Sequence, residues 1–219
     1  MVEKAEISVE LVDSMGSDLS VANTARVSFN KWKDEFEVGK DDRLIAYLAN
    51  HEHLSPFRHT QISIRCKVPV FLARQLGKHQ AGLSWNEVSR RYVDAGIEFF
   101  VPDSWRSRPA DGIKQGSGEV HVNSDDLRHY YDRVVYETIK CYDDMVEQGV
   151  APEMARMILP QSMMVDYVWT GNLLAFFHVY RLRAGEGAQV EAKEFAEKLK
   201  AVIEPLFPVC WKALEEAKQ

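Results

Sequence analysis

A strict alternation of apolar and polar residues runs through the segment HTQISIRCKV and ends at Pro69. One face of an extended chain would carry its apolar members, Ile62, Ile64, Cys66 and Val68. This two-residue period predicts a strand with a single buried face. Proline is tolerated at the first turn of a helix, so the apolar spacing of VFLARQLGKH predicts a helix directly after Pro69.

Similar patterns recur along the chain without a regular strand–helix–strand repeat. Extended segments are predicted in AEISVELVD, GIEFFVPDSW and SMMVDYVWTG. Helices are predicted in SDLSVANTARVSF, KDDRLIAYLANHEH, DDLRHYYDRVVYETIKCYDDMVEQ (capped by Ser124), EMARMIL, NLLAFFHVYRLRA and AQVEAKEFAEKLKAVIEPLF. Residues 103–123, rich in Gly, Ser and Asp, are predicted to form a flexible surface loop. These patterns favour an α+β fold, a mixed sheet flanked by helices, in one domain over residues 1–219.

Charge and composition exclude several classes of function. The net charge of −6 argues against a nucleic-acid partner. No run of about 18 apolar residues is present, which predicts that the chain has no place in a membrane. Three widely spaced cysteines form no CxxC pair, as is typical of a reducing cytoplasm, and no metal site is expected. The chain also has no GxGxxG, P-loop or GxSxG motif.

An unusual density of hydrogen-bonding groups fills GKHQAGLSWNEVSRRYVD, residues 77–94. If this segment is extended, Ser89 and Arg91 share one face, and so do Glu87 and Ser89. A guanidinium matches phosphate oxygens with two parallel hydrogen bonds, and a carboxylate can accept from a ribose hydroxyl. The alternative is a solvated edge on which Glu87, Arg90 and Arg91 pair with other charges. The residues alone leave both interpretations open.

Two further clusters lie elsewhere in the chain. Arg156 interrupts the apolar ARMILP, while His178, Arg181 and Arg183 lie in FFHVYRLRAGEGAQ. The two later arginines could simply be cations at a helix C-terminus, and His178 could be a core histidine. The segment NHEHLSPFRH contains three histidines, but no carboxylate pair at helical spacing completes a metal site.

Together, these clusters resemble the flavin-dependent thymidylate synthases. The segment RQLGKHQAGLSWNEVSRRY is similar to the family signature, an Arg-His-Arg run followed by Asn-Glu-x-Ser-x-Arg-Tyr. HLSPFRH resembles the family's His-x-Ser/Thr-Pro-Phe-Glu-His, and ARMILP its Arg-x-x-Leu-Pro. The Trp-Thr-x-Asn of residues 169–172 and LRAGEGAQVE resemble two further elements. The likeness runs from about residue 7 to 200, and several spaced motifs in one order are more specific than any one of them.

The resemblance implies an FAD enzyme that methylates dUMP to dTMP, with methylenetetrahydrofolate as carbon donor and NADPH as reductant of the flavin. It also implies a cytoplasmic α+β homotetramer with shared active sites and no cysteine nucleophile. Two alternatives stay open. One is a related flavin enzyme that hydroxymethylates a pyrimidine nucleotide, and the other is a non-catalytic relative that binds flavin or nucleotide.

Site residues follow from the motif positions that this chain shares with the family. The residues implied to bind dUMP are Gln75, Lys78, Glu87, Ser89, Arg90, Arg91, Arg156 and Arg183. The residues implied to bind FAD are Ser55, Arg58, Lys78, His79, Gln80, Glu87, Asn172 and His178. Arg183 is the implied catalytic residue, because a fixed positive charge beside the uracil would stabilise the anion that develops on the ring.

The chain departs from the family pattern at several positions. The Arg-His-Arg run reads Lys78-His79-Gln80, and the interval from it to Ser89 is one residue longer. Arg58 stands where the family has glutamate, and Leu174 where it often has arginine. Cations are therefore lost at some flavin-facing positions and gained at Arg58, which predicts either a relocation of charge around FAD or weaker FAD binding.

Overall fold

The computed structural model describes residues 4–109 and 116–217. The strands are β1 Lys4–Ala5, β2 Ser8–Met15, β3 Gln61–Pro69, β4 Leu83–Glu87, β5 Phe99–Phe100 and β6 Met164–Gly171. The helices are α1 Asp18–Arg26, α2 Asp41–Asn50, α3 Val70–Leu76, α4 Ser124–Glu147, α5 Pro152–Ala155, α6 Leu173–Ala184, α7 Val190–Ile203 and α8 Pro208–Glu216. Short 3₁₀ turns span Val27–Phe29, Ser55–Arg58, Arg156–Ile158 and Glu204–Leu206.

Four antiparallel strands form the main sheet, in the order β2-β3-β6-β4. The strands β1 and β5 pair in parallel as a separate two-stranded sheet. In the main sheet Ile64 lies opposite Trp169, which in turn lies opposite Trp85. This register places β4, the strand at the start of the polar segment, at one edge of the sheet.

One face of the sheet is the core face. The apolar members of the β3 alternation are fully buried, as the period predicts, and so are Tyr167 and Trp169 on β6. Helices α6 and α7 pack against each other and contribute Phe176 and Phe195 to the same core. Mixed helices and an antiparallel sheet in a single domain confirm the predicted fold class, while the predicted domain limits of 1–219 stay a prediction.

The opposite face of the sheet is polar. Ser63 on β3 shares a hydrogen bond with Thr170 on β6, at 2.8 Å between the hydroxyl oxygens. Arg65 donates to the Asp166 carboxylate over 3.1 Å. Ser63 and Thr170 are directly opposite each other and Arg65 and Asp166 are diagonal neighbours, and such cross-strand pairs stabilise the register. The alternation along β3 thus separates a polar face from a core face.

Three local predictions need correction. The strand in the polar segment ends at Glu87. The Val88 N–H still donates to the Asp166 carbonyl, but a turn then closes from the Tyr92 N–H to the Ser89 C=O. Ser89 and Arg91 therefore do not share a strand face. The cap of α4 is Asn123 rather than Ser124, and the strand in GIEFFVPDSW contains only two residues.

The predicted flexible loop lies partly outside the described residues, since 110–115 belong to it. On either side of that gap the chain is paired, with a bridge between Arg106 and Val120. Across residues 4–109 and 116–217, no helix combines the length and apolar character needed to cross a bilayer.

Candidate active site

A hydrogen-bonded triad joins two motifs that are about a hundred residues apart in sequence. The Arg183 side chain, near the end of α6, donates from Nε to His79 Nε2 over 3.0 Å. It also donates from Nη2 to the carbonyl of Gln75 over 3.0 Å. Arg183 is half-buried and His79 is half-buried beside it. The guanidinium is therefore held in one orientation by the end of α3 and the turn that follows.

This geometry fixes the protonation of His79. A ring nitrogen that accepts from a guanidinium cannot carry a proton itself, so Nε2 is the unprotonated nitrogen and any ring proton is on Nδ1. Burial, and then the positive charges of Arg183 and His178, lower the pKa of His79. The imidazole is thus neutral at neutral pH, and Arg183 carries the positive charge of the pair.

A second histidine lies close to two further arginines. Burial lowers the pKa of His178, and the charges of Arg181 and Arg58 lower it further. Arg58 lines a cavity of about 1010 Å³ together with Ser55 and His53. Arg58 has no ion-pair partner among the described residues. An uncompensated cation on an open cavity is suited to an anionic ligand.

Asn172 is fixed at the start of α6. Its Oδ1 accepts from the Ala175 N–H over 2.9 Å, which is an N-cap interaction. A Cβ at Gly82 would lie only 2.8 Å from Asn172 Nδ2, and the Gly82 backbone has a φ of +75°, in the left-handed region. Only glycine meets both conditions, so Gly82 allows the turn before β4 to pass directly over Asn172.

The edge strand β4 forms the wall of a second cavity, of about 530 Å³, which His79 and Gln80 also line. Trp85 stacks on Tyr167 with ring centroids 3.4 Å apart, and its indole N–H donates to Glu87 over 3.3 Å. Desolvation by the surrounding protein raises the pKa of Glu87, although its side chain still reaches solvent. The carboxylate is therefore held at the cavity by an aromatic neighbour.

The turn after β4 separates the two adjacent arginines. Arg91 Nε donates to Ser89 Oγ over 3.3 Å, so this hydroxyl and this guanidinium are together even though they are not in a strand. Arg90 instead donates to backbone carbonyls of its own loop, at 2.6 Å to Ala95 and 3.1 Å to Gly96. Arg91 is the arginine that the fold leaves available to a ligand.

Three other predicted residues belong to the segment that holds the triad, namely Gln75, Lys78 and Gln80, whereas Arg156 lies on a different element. Arg156 is exposed in a 3₁₀ turn, where its Nε donates to the Glu153 carbonyl over 3.3 Å. Lys78 and Gln80 are exposed on either side of His79. Gln75 is half-buried on α3 and donates to Gln189 over 2.6 Å.

Comparison with known proteins identifies the family. The family model for thymidylate synthase complementing protein matches residues 10–209. The chain belongs to this family. A flavin-dependent thymidylate synthase of Kosmotoga olearia is 36% identical over 209 residues, which cover 94% of this chain and 88% of the relative. The enzyme of the same name from Thermus thermophilus is 35% identical over 208 residues, covering 95% and 75%.

Solved structures of similar fold include the UMP/dUMP methylase PolB from Streptomyces cacaoi. The form bound with 5-Br dUMP has a TM-score of 0.88 and 29% identity, and the match covers 99% of this chain and 98% of PolB. The form bound with 5-Br UMP has a TM-score of 0.85 and 30% identity, with 97% and 95% covered. Identity and fold therefore agree over nearly the whole chain.

Two contacts of this thymidylate synthase family member were not found from its sequence. Gln189 bonds Gln75 across 114 positions, and no local pattern indicates such a pairing. The contact between Trp85 and Glu87 could have been predicted, because the two residues are two positions apart in a strand and so share one face. Burial raises the pKa of the Cys66 thiol to about 12. No cluster of three His, Cys, Asp or Glu side chains suited to a metal occurs in the part of the chain that the structure describes.

The hydrogen bond between Arg183 and His79 gives a pH prediction. The folded-state pKa of His79 lies below its ordinary value of about 6.5, so the unfolded chain takes up the proton first as pH falls. The stabilisation is complete above that value and is lost as the pH drops through the folded pKa. We expect His79→Gln, which can accept from Arg183 at every pH, to show a weaker loss of unfolding free energy in acid.

Histidine-resolved NMR titration checks this directly. The His79 ring signals should titrate below about 6.5. Titration at or above that value would mean that Nε2 does not accept from Arg183 in solution.

Proposed function

We propose that this chain catalyses the reductive methylation of dUMP to dTMP, with methylenetetrahydrofolate as carbon donor and NADPH as the source of reducing equivalents. The observation that carries the proposal is the triad in which Arg183 joins His79 and the Gln75 carbonyl. It brings a residue implied to bind FAD into direct contact with the cation implied to act on the uracil. The family relationship supports the same reaction.

In this proposal Arg183 holds a fixed positive charge beside the pyrimidine ring. Its two hydrogen bonds leave part of the guanidinium fork for the substrate, and half-burial strengthens its field. Such a charge stabilises the anion that forms when the ring loses a proton. His79 acts as a positioning residue, because it is neutral and accepts from Arg183.

The nucleotide would be held by residues around the β4 edge. Arg91 and Ser89 supply a guanidinium and a hydroxyl for the phosphate, and Glu87 accepts from the ribose hydroxyl. Gln75, Lys78 and Arg156 are further proposed contacts, and Arg90 serves mainly to shape the loop. Arg156 and Arg91 are exposed on separate turns of the chain, which leaves both free to face another subunit. A homotetramer in the cytoplasm, with each site assembled from several subunits, is part of the same proposal.

FAD fits the positive region around the two histidines. Arg58 is a cation without an ion-pair partner in the described parts of the chain, and it lines a cavity large enough for a dinucleotide. Ser55, Lys78, His79, Gln80, Glu87, Asn172 and His178 are the other residues proposed to hold FAD. When bound, FAD supplies the hydride that completes the methyl group. The diphosphate of FAD needs positive charge, and Arg58 offers some of what the altered Lys78-His79-Gln80 run lacks.

Product analysis tests the function. Purified protein with FAD, dUMP, methylenetetrahydrofolate and NADPH should form dTMP, identified by mass spectrometry. A hydroxymethylated nucleotide would instead favour the hydroxymethylating alternative, and flavin binding without turnover would favour a non-catalytic one.

UMP is a second candidate substrate, because both 5-Br dUMP and 5-Br UMP occur in the structures of the similar methylase PolB. The same assay with UMP in place of dUMP shows whether the enzyme methylates dUMP alone or both nucleotides.

Arg91→Ala should weaken dUMP binding about 10- to 100-fold, because it removes a charge-assisted contact worth about 1.5–3 kcal/mol. Flavin content should stay unchanged. Calorimetric titration with dUMP measures the affinity. Arg133→Ala, on an exposed position of α4, is the matched control and should bind dUMP as the unmodified chain does. Equal affinities for the Arg91 variant and the control would remove Arg91 from the phosphate site.

Arg58→Glu should lower FAD affinity, and more at low than at high ionic strength, since exposed charges are screened by salt. Arg58→Gln removes the charge without reversing it and should give a smaller loss. Adding Gln80→Arg to the glutamate variant should restore part of the affinity. Fluorescence titration of FAD checks all three variants. An unchanged affinity for Arg58→Glu at low salt would show that charge has not been relocated to Arg58.

A further inference from the structure

A third cavity lies apart from the triad, between β5, the start of α7 and the α4 helix. Its volume is about 320 Å³, at the lower end of the range for small-molecule sites. Phe71 and Phe100 line it, with their rings edge-to-face and the ring centroids 5.9 Å apart. Trp105 and Tyr131 also line it, with ring centroids 5.5 Å apart. The cavity therefore has aromatic walls.

Three buried polar atoms on residues that line this cavity have no hydrogen-bond partner in the described chain. The first is the indole nitrogen of Trp105, which can only donate, the second is Glu191 Oε2, which accepts, and the third is the Ser162 hydroxyl, which can do both. Glu191 is 4% exposed. Leaving such groups unpaired is unfavourable, and more so for a charged group, so a partner with complementary chemistry is favoured.

The charges at the cavity cancel. Arg106 Nη2 donates to the other Glu191 oxygen, Oε1, over 2.6 Å, and Arg106 Nε donates to Ser117 over 2.7 Å. The Tyr131 hydroxyl is already used, since it donates to the Phe100 carbonyl over 2.6 Å. The unpaired groups are thus one acceptor, one donor and the Ser162 hydroxyl, in a neutral, aromatic-walled space.

We propose that this cavity binds a neutral planar heterocycle with a lactam group, the chemistry of a nucleobase. Its ring N–H would donate to Glu191 Oε2, its carbonyl would accept from Trp105 Nε1, and its faces would pack on the aromatic walls. The site shares no residue with those proposed to bind dUMP or FAD. It is adjacent to them, because Gln189 lines the cavity and accepts from Gln75.

The probe is 2-pyridone, a minimal lactam, added to the full chain after saturation with dUMP. The Trp105 indole N–H signal, assigned by its loss in Trp105→Phe, should shift saturably in nitrogen-labelled protein. N-methyl-2-pyridone has no ring N–H to donate to Glu191. Its affinity should be lower by a factor of about ten or more, as expected when a hydrogen bond to a charged acceptor is lost. In ligand-observed titration, Trp105→Phe should bind 2-pyridone about two- to tenfold more weakly.

Three results would overturn the proposal. The first is an unmoved Trp105 signal at millimolar 2-pyridone, which would mean that the cavity holds only water. The second is a shift that disappears when dUMP is present, since the probe would then occupy the nucleotide site. The third is equal affinity for the two pyridones. Failure of dTMP formation would leave all of these measurements interpretable, because none depends on turnover.

Discussion

Arg183→Ala is expected to lower kcat for dTMP formation by about 100- to 1,000-fold, the usual loss when a preorganised electrostatic group is removed. The guanidinium is fixed by His79 and by the Gln75 carbonyl, so no other cation can take its orientation. Most of the loss should be in kcat rather than in KM, because the developing anion needs the charge more than the ground state does. Steady-state kinetics with dUMP as the varied substrate measures both.

Two further variants separate charge from geometry. Arg183→Lys keeps the charge but loses the fork, so it should recover only a small part of the rate. His79→Gln keeps an acceptor for Arg183 and should lose less kcat than Arg183→Ala. Arg133→Ala should leave the kinetics unchanged, since Arg133 is exposed on α4. A kcat for Arg183→Ala within about threefold of the unmodified chain would contradict the catalytic assignment.

Local patterns predicted much of this fold. The alternation through Ile62 and Val68 is imposed by the strand itself, and Pro69 ends it and begins α3 as the backbone rules require. Residues that are close in sequence determine such features, so no knowledge of the rest of the chain is needed. The same holds for the α6 start, where Asn172 is the cap.

Contacts between distant segments could not be predicted in this way. The Asp18 carboxylate accepts from the N–H groups of Val209 and Cys210, 191 and 192 residues away, and so caps α8. The early end of β4 depends on its pairing with β6, which no pattern in residues 77–94 reveals. The Arg183–His79 bond is of this kind too: each residue was recognised separately, but their contact depends on how α6 packs beside α3.

Trp169→Ala is expected to reduce the unfolding free energy by about 3–5 kcal/mol, the cost of removing a large core aromatic. Trp169 is 1% exposed, and its ring contacts Trp85, Phe176 and Phe195. It therefore joins the sheet to α6 and α7. Denaturant unfolding at one fixed protein concentration measures the change, because association can add to apparent stability. Trp32→Ala is the matched control, since Trp32 is 67% exposed and its loss should cost under about 0.5 kcal/mol.

The same substitution should also disturb the site. Trp169 and Trp85 line the cavity that contains Glu87 and His79, so a void beneath Trp85 lets the β4 edge shift. Trp169→Phe retains an aromatic ring and should lose less stability and less dUMP affinity than the alanine variant. If the variant that loses more stability also loses more dUMP affinity, the core holds β4 in the position that binds the nucleotide. A loss of unfolding free energy below about 1 kcal/mol for Trp169→Ala would mean that the core collapses around the void. The position of β4 would then be set by its backbone pairing with β6 alone.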